Sequence, residues 1–130
     1  MNKLGKTGET IASEYLAKNG YIIREKNYRN FLGEIDIIVE YKNEIIFIEV
    51  KTRKSNQYGY PEETVHLAKQ KKIIKTASGY ITRKKLKGKN YRFDVILIYF
   101  SKKNNIEEIR HIENAFHINH SNNPFNSQQI

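Results

Sequence analysis

Apolar residues first recur at helical spacing. Ile11, Ala12, Tyr15 and Leu16 form one stripe, which predicts a helix over residues 7–18, capped by Thr7 and stopped by Gly20. From Tyr21 the period shortens to two. YIIREKNY, EIDIIVEY and EIIFIEVKT read as three strands, the last two joined by a two-residue turn at Lys42-Asn43, so they form an antiparallel meander. The loop SNQYGYP follows. Pro61, Glu62 and Glu63 suit a first helical turn and lead into a helix of about twenty residues ending near Ile81. Residues 92–100 read as a strand, and residues 106–112 pair back on it across KKNN.

The order helix, three strands, helix, two strands predicts an α/β fold with a central mixed sheet flanked by helices. The second helix acts as a crossover that lays strand 92–100 parallel to strand 45–52. At 130 residues the chain holds one core. Residues 1–118 are expected as a single domain and residues 119–130 as a polar, disordered tail.

One feature of the meander conflicts with strand chemistry. GEIDIIVEYKNEIIFIEVKTR places Glu34, Asp36, Glu49 and Lys51 in strands, which disfavour Asp, Glu and Lys. Counting outward from the turn pairs Tyr41 with Glu44, Val39 with Ile46 and Ile37 with Ile48. The same register sets Asp36 against Glu49 and Glu34 against Lys51. Alternation then gives Ile35, Ile37, Val39, Ile46, Ile48 and Val50 one apolar face, leaving Asp36, Glu49 and Lys51 on the other. Facing carboxylates repel, so a positive group belongs between them. A hard divalent ion, Mg²⁺ or Mn²⁺, accepts one or two carboxylates and completes its shell with water or phosphate oxygens. Lys51 then stands where it can orient a nucleophile or offset charge on a reacting phosphorus. The plainer reading is a pair of exposed acids neutralised by Lys51 and Arg53.

Charge points the same way. The formal net charge is +9, and more than half of the 23 Lys and Arg fall within residues 51–92, which hold only two of the 14 acids. Such a local excess suits a polyanion, with Lys69, Lys72, Lys75, Arg83 and Lys85 as the nucleic-acid-binding candidates. The chain has no cysteine, which removes disulfides, zinc ribbons and thiol nucleophiles. No apolar run suggests a signal peptide or a membrane anchor, so a cytoplasmic protein with no membrane partner is expected.

Asp36, twelve intervening residues, then Glu49-Val50-Lys51 resembles the PD-(D/E)xK signature of restriction-endonuclease-like nucleases, with Ile35 where that signature has Pro. The wider run is more specific. GETIASEYLAKNGY, NYRNFLGEIDIIV, FIEVKTR, KQKKIIKTASGYI, RFDVILI and ENAF together resemble the YraN-like family of predicted endonucleases, itself similar to Holliday-junction resolvases. The resemblance implies a restriction-endonuclease-like core and a Mg²⁺- or Mn²⁺-dependent nuclease. Its substrate would be nucleic acid, DNA before RNA and branched before linear, cut by a possible homodimer. It also implies that Glu9 joins Asp36 and Glu49 as a metal ligand, and that Gln70 acts beside Lys51. Each has a structural alternative: Glu9 as a first-turn acid facing the helix dipole, Gln70 as an amide with a buried partner.

Other signals are weaker. Gly5-Lys6-Thr7 lacks the preceding strand and glycine of a phosphate-binding loop, and His66, His111, His117 and His120 have no metal-site spacing. Arg92 and Asp94 suit an ion pair beside the sheet end, or support for the metal site. Tyr58 and Tyr60 suit either stacking on bases or covering the core. The rival to a nuclease is a non-catalytic nucleic-acid-binding module of the same fold.

Overall fold

The structure is a computed structural model that describes residues 4–54, 65–103 and 105–125, residues 4–7 by backbone alone. Helix α1 (Leu4–Lys18) begins ahead of Thr7, which therefore lies inside it. It ends as expected. Gly20 takes φ of 88°, and the Tyr21 N–H closes the last turn on Leu16 O at 3.0 Å. Strands β1 (Ile22–Asn30), β2 (Gly33–Tyr41) and β3 (Glu44–Lys54) follow, then α2 (Leu67–Arg83), β4 (Asn90–Phe100) and β5 (Ile106–Phe116). Helix α2 starts downstream of Pro61, Glu62 and Glu63, which with Tyr58 and Tyr60 lie outside the described residues. Strand β5 runs past Ile112, its expected end, to Phe116.

The strands form one sheet in the order β1-β2-β3-β4-β5. All neighbours are antiparallel except β3 and β4, which run parallel with α2 in the connection between them. Lys42 and Asn43 have φ of 48° and 67°, the left-handed pair of a tight hairpin turn, and they set the expected register of Tyr41 on Glu44, Val39 on Ile46 and Ile37 on Ile48.

Both faces of the sheet are buried, where the alternation argument allowed one. Helix α1 covers Ile37, Val39, Ile46, Ile48, Ile96, Ile98 and Phe100. Helix α2 covers Ile35, Ile38, Ile45, Phe47, Val95, Leu97 and Tyr99. A parallel pair at the sheet centre needs this double cover, and the near-continuous apolar runs of β2, β3 and β4 supply it. Ile35 was expected beside Ile37 and Val39; it lies with Ile38 on the α2 face, because the ladder breaks at Asp36.

Residues 119–125, expected in a disordered tail, are folded. Asn122 is buried, its Oδ1 accepting Asn119 N at 2.8 Å and its Nδ2 donating to His117 O at 2.7 Å. Asparagine side chains here replace backbone partners, which is why a polar stretch packs. Among the described residues no helix is long and apolar enough to cross a membrane.

Candidate active site

Asp36 sits where β2 loses both neighbours. On the β1 side the pairing passes from Lys26–Ile37 to Tyr28–Ile35, skipping Asn27, whose φ is 50°. On the β3 side the ladder ends at Ile37–Ile48, so the expected facing of Asp36 on Glu49 and of Glu34 on Lys51 does not form. Instead Asp36 Oδ2 accepts the Val50 N–H at 2.8 Å. Glu34 turns outward to an exposed ion pair with Arg29. The Asp36 carboxyl is thus inserted between two parting strands, and burial raises its pKa despite the Val50 hydrogen bond and the nearby Lys69.

Glu49 comes from β3, where Ile48 and Val50 belong to the α1 side, so its own side chain is on the α2 side with Lys51. It stands against Ile35, Ile73 and Phe116. Burial, then the Asp36 charge, push its pKa up to about 7, while Lys69 and Lys51 pull the other way. The two carboxyls are close neighbours whose ionisation is linked, and the Asp36 charge makes Glu49 harder to ionise. Lys69, expected to meet nucleic acid, reaches down from α2 to Glu49 Oε2 at 3.8 Å. Lys69 and Lys51 are the cations that act on Glu49, and Arg53 Nη1 donates to Thr52 O at 2.9 Å.

Glu9 approaches Asp36 from the α1 side. Burial and the Asp36 charge raise its pKa, and an Asn27 hydrogen bond opposes them. Between them lies a cavity of about 110 Å³ lined by Glu9, Thr10, Ser13, Lys26, Asn27 and Asp36. Ser13 Oγ, buried in its wall, has no hydrogen-bond partner. An orphaned hydroxyl in a polar cavity of this size fits bound water. Among the described residues, no three His, Cys, Asp or Glu side chains gather closely enough to hold a metal ion. Asp36 and Glu49 suit a hard cation that takes two carboxylates and fills its shell with water and phosphate oxygens, and Glu9 reaches the Asp36 carboxyl from the α1 side.

The structure gives Gln70 two structural partners, neither of them Lys51. Its Nε2 donates to Val65 O and its Oε1 accepts from Asn122 Nδ2, both at 2.7 Å. The amide thus ties the C-terminal segment to the start of α2. Lys72 and Lys75 are exposed and, with Lys71, line one wall of an open groove of about 340 Å³. His120, Ser121, Asn123 and Pro124 line the other. Arg83 and Lys85 are exposed at the far end of α2, apart from this groove.

Arg92 and Asp94 form the ion pair suggested by their spacing, but as part of a buried clasp. Asp94 accepts Arg92 Nε and Nη2 at 2.9 Å and Asn114 N at 3.0 Å, with His111 Nε2 at 2.7 Å. His111 in turn meets Tyr15 of α1 at 3.1 Å. Burial would raise the Asp94 pKa, yet these donors hold it below the ordinary value. This clasp joins α1, β4 and β5 and uses every Asp94 lone pair.

Sequence reasoning missed Asn27 and Ser13. An asparagine inside a strand was a readable signal for the first, since Asn is a poor strand former. Ser13 gave none, because its importance lies in what it fails to contact.

The family model described as "Uncharacterised protein family UPF0102" matches residues 8–98. Relatives extend over most of the chain. A UPF0102 protein of Caldanaerobacter subterraneus subsp. tengcongensis is 48% identical over 114 residues, covering 87% of this chain and 93% of its own length. One from Caldicellulosiruptor saccharolyticus is 46% identical over 118 residues, covering 89% and 100%. Another, from Clostridium botulinum strain 657, is 51% identical over 116 residues, covering 88% and 94%. The matched span contains Glu9, Asp36, Asn27, Glu49, Lys51 and Gln70, and the chain belongs to the uncharacterised protein family UPF0102.

Proposed function

We propose that this chain is a metal-dependent nuclease with a restriction-endonuclease-like core, hydrolysing phosphodiester bonds of structured or branched DNA. The observation that carries the reading is Asp36, held between parting strands by the Val50 N–H and set close beside Glu49, with Lys51 one pleat further along β3. A fold does not place two desolvated carboxyls in contact without cost. A reaction that uses them explains why the sheet is opened for them.

Asp36 and Glu49 would hold Mg²⁺ or Mn²⁺, with Glu9 and Ser13 contacting its water across the cavity. Such an ion supplies charge neutralisation at the phosphate and acidifies a water. The chain's residues do the rest. Lys51 places an ammonium at the non-bridging phosphate oxygens or the attacking water, where charge develops in the transition state. Asn27 and the Val50 N–H fix the Glu9 and Asp36 carboxyls, respectively. The groove between α2 and residues 120–124 provides a track for the phosphate backbone. A two-fold dimer would suit symmetric cuts in a four-way junction.

The ion pair of Lys69 with Glu49 favours a second reading, a nucleic-acid-binding module in which Lys69 is the permanent counterion. A cleavage panel separates the two. Junction, flap, single-stranded and duplex DNA, with RNA counterparts, are incubated with Mg²⁺ or Mn²⁺ beside an Asp36→Ala control. Cleavage of at least one substrate by the wild type and none by the variant is expected; binding without metal-dependent cleavage would select the module.

A further inference from the structure

Phe31 is 95% exposed at the tip of the hairpin that joins β1 to β2. The turn itself is tightly held. Asn30 Oδ1 accepts Leu32 N at 2.9 Å, and Asn30 Nδ2 donates to Tyr28 Oη and to Thr76 O of α2, each at 3.3 Å. Gly33, at φ of 155°, approaches so closely that a Cβ there would lie 2.7 Å from Thr76 Oγ1. On the other flank Leu32 and Asn30 close over Gly79. The inward places of the turn are filled, and a flat apolar ring is presented to solvent on a rigid support.

Two further features say what the ring meets. Strand β2 runs from this tip to the acids: Phe31 to Asp36 is five residues, at most about 16 Å at strand rise. The surroundings are cationic. Arg29 beside the tip is exposed and, among the described residues, engaged only in a surface pair with Glu34, and α2, on which the tip rests, carries exposed Lys72 and Lys75. Exposed surface pairs are weak, so Arg29 exchanges readily with a phosphate. A rigid aromatic ring among exchangeable cations is the combination that binds unpaired nucleotides, by stacking together with backbone charge.

We infer that Phe31 stacks on an unpaired base of the nucleic acid, so that the chain selects substrates with an opened or single-stranded segment within about five nucleotides of the bond held at Asp36 and Glu49. The spacing follows from that reach of about 16 Å and a stacked-base rise of about 3.4 Å. The inference rests on the nuclease reading for the position of the cut but not for the stacking.

The test uses full-length protein in EDTA with two probes, a forked DNA containing 2-aminopurine at successive unpaired positions and a fully paired duplex. A fluorescence change confined to a few adjacent positions is expected. Phe31→Ala should weaken fork binding about tenfold, change duplex binding less than about twofold, and leave the melting temperature unchanged; Phe31→Trp should retain fork binding. Equal losses on both probes, or no loss on either, overturn the inference. So does a concentration-dependent dimer in sedimentation that Phe31→Ala dissolves without affecting DNA, which would assign the ring to a second copy of the chain. Phe31-dependent fork binding in a protein that never cleaves keeps the stacking and sinks the nuclease; cleavage with no Phe31 effect does the reverse.

Discussion

Asp36 Oδ2 accepts the Val50 N–H at 2.8 Å, and that bond replaces a rung of the β2–β3 ladder. In the continued register Val50 would face Ile35. A side-chain oxygen takes its donor instead, so no buried N–H is orphaned while the strands part. Ile35 moves to the α2 face and the space between the strands receives a carboxyl. Backbone pairing is exchanged for a polar site without leaving the backbone unsatisfied.

That site makes stability depend on pH in a defined direction. Glu49, raised to about 7 in the fold, binds more protons folded than unfolded between its ordinary value of 4.5 and 7. Stability therefore falls as pH rises through this window and levels off above it. Glu49→Gln removes the penalty, and chemical denaturation at pH 8 should show the variant more stable by about 1–3 kcal/mol, with little difference at pH 5. A variant less stable at pH 8 would mean that the Lys69 pair outweighs burial.

Metal linkage follows from the same groups. An ion at Asp36 and Glu49 must displace the proton that Glu49 holds below about pH 7, so millimolar Mg²⁺ or Mn²⁺ should raise the wild-type melting temperature more at pH 8 than at pH 6. Asp36→Ala should abolish that rise. An equal shift in the variant would place the ion elsewhere.

The hairpin turn and the helix stop at Gly20 were legible because each depends on neighbours in sequence, and the parallel placement of β3 beside β4 followed from the crossover helix between them. The contact of Asp36 with Glu49 was half legible. The count from Lys42-Asn43 brought the two acids together, but it could not foresee the rung lost at Val50 or Asn27 leaving the ladder. The C-terminal segment was misread for a related reason. Composition marks SNNPF as disordered, while Asn122 is buried against local backbone partners and a long-range one, Gln70. Lys69 shows the limit for charge: a run of lysines reads as a solvated or phosphate-binding face until one of them finds Glu49.

Gln70 is expected to act through stability. Gln70→Ala leaves buried Asn122 Nδ2 with one acceptor fewer, and Asn122→Ala frees Gln70 Oε1, so each should cost about 1–3 kcal/mol. Because they remove the same bond, the double variant should cost less than the sum of the two. Single-turnover cleavage by folded Gln70→Ala should stay within about tenfold of wild type, against the larger loss expected at a transition-state group. Loss of cleavage in a fully folded protein would return Gln70 to the chemistry beside Lys51.

Lys51 and the α2 cations should separate chemistry from binding. Lys51→Met keeps most of the side-chain volume and removes one charge among many on a basic surface, so affinity for DNA should change little. One ammonium aligned with developing charge matters far more to rate, and single-turnover cleavage should fall by about a hundredfold or more. Replacing Lys72, Lys75, Arg83 and Lys85 with Gln does the opposite. All four are exposed and none touches Asp36 or Glu49, so the fold should persist and cleavage at saturating DNA should survive. If every one of them neutralises a phosphate, the slope of log affinity against log salt should shrink by roughly 0.9 per contact. Lys72 and Lys75 line the groove and Arg83 and Lys85 do not, so the paired variants resolve the track. The groove predicts that Lys72→Gln with Lys75→Gln accounts for most of the change. A salt series in which Arg83 and Lys85 carry it instead would move the DNA to the far end of α2, away from the C-terminal segment.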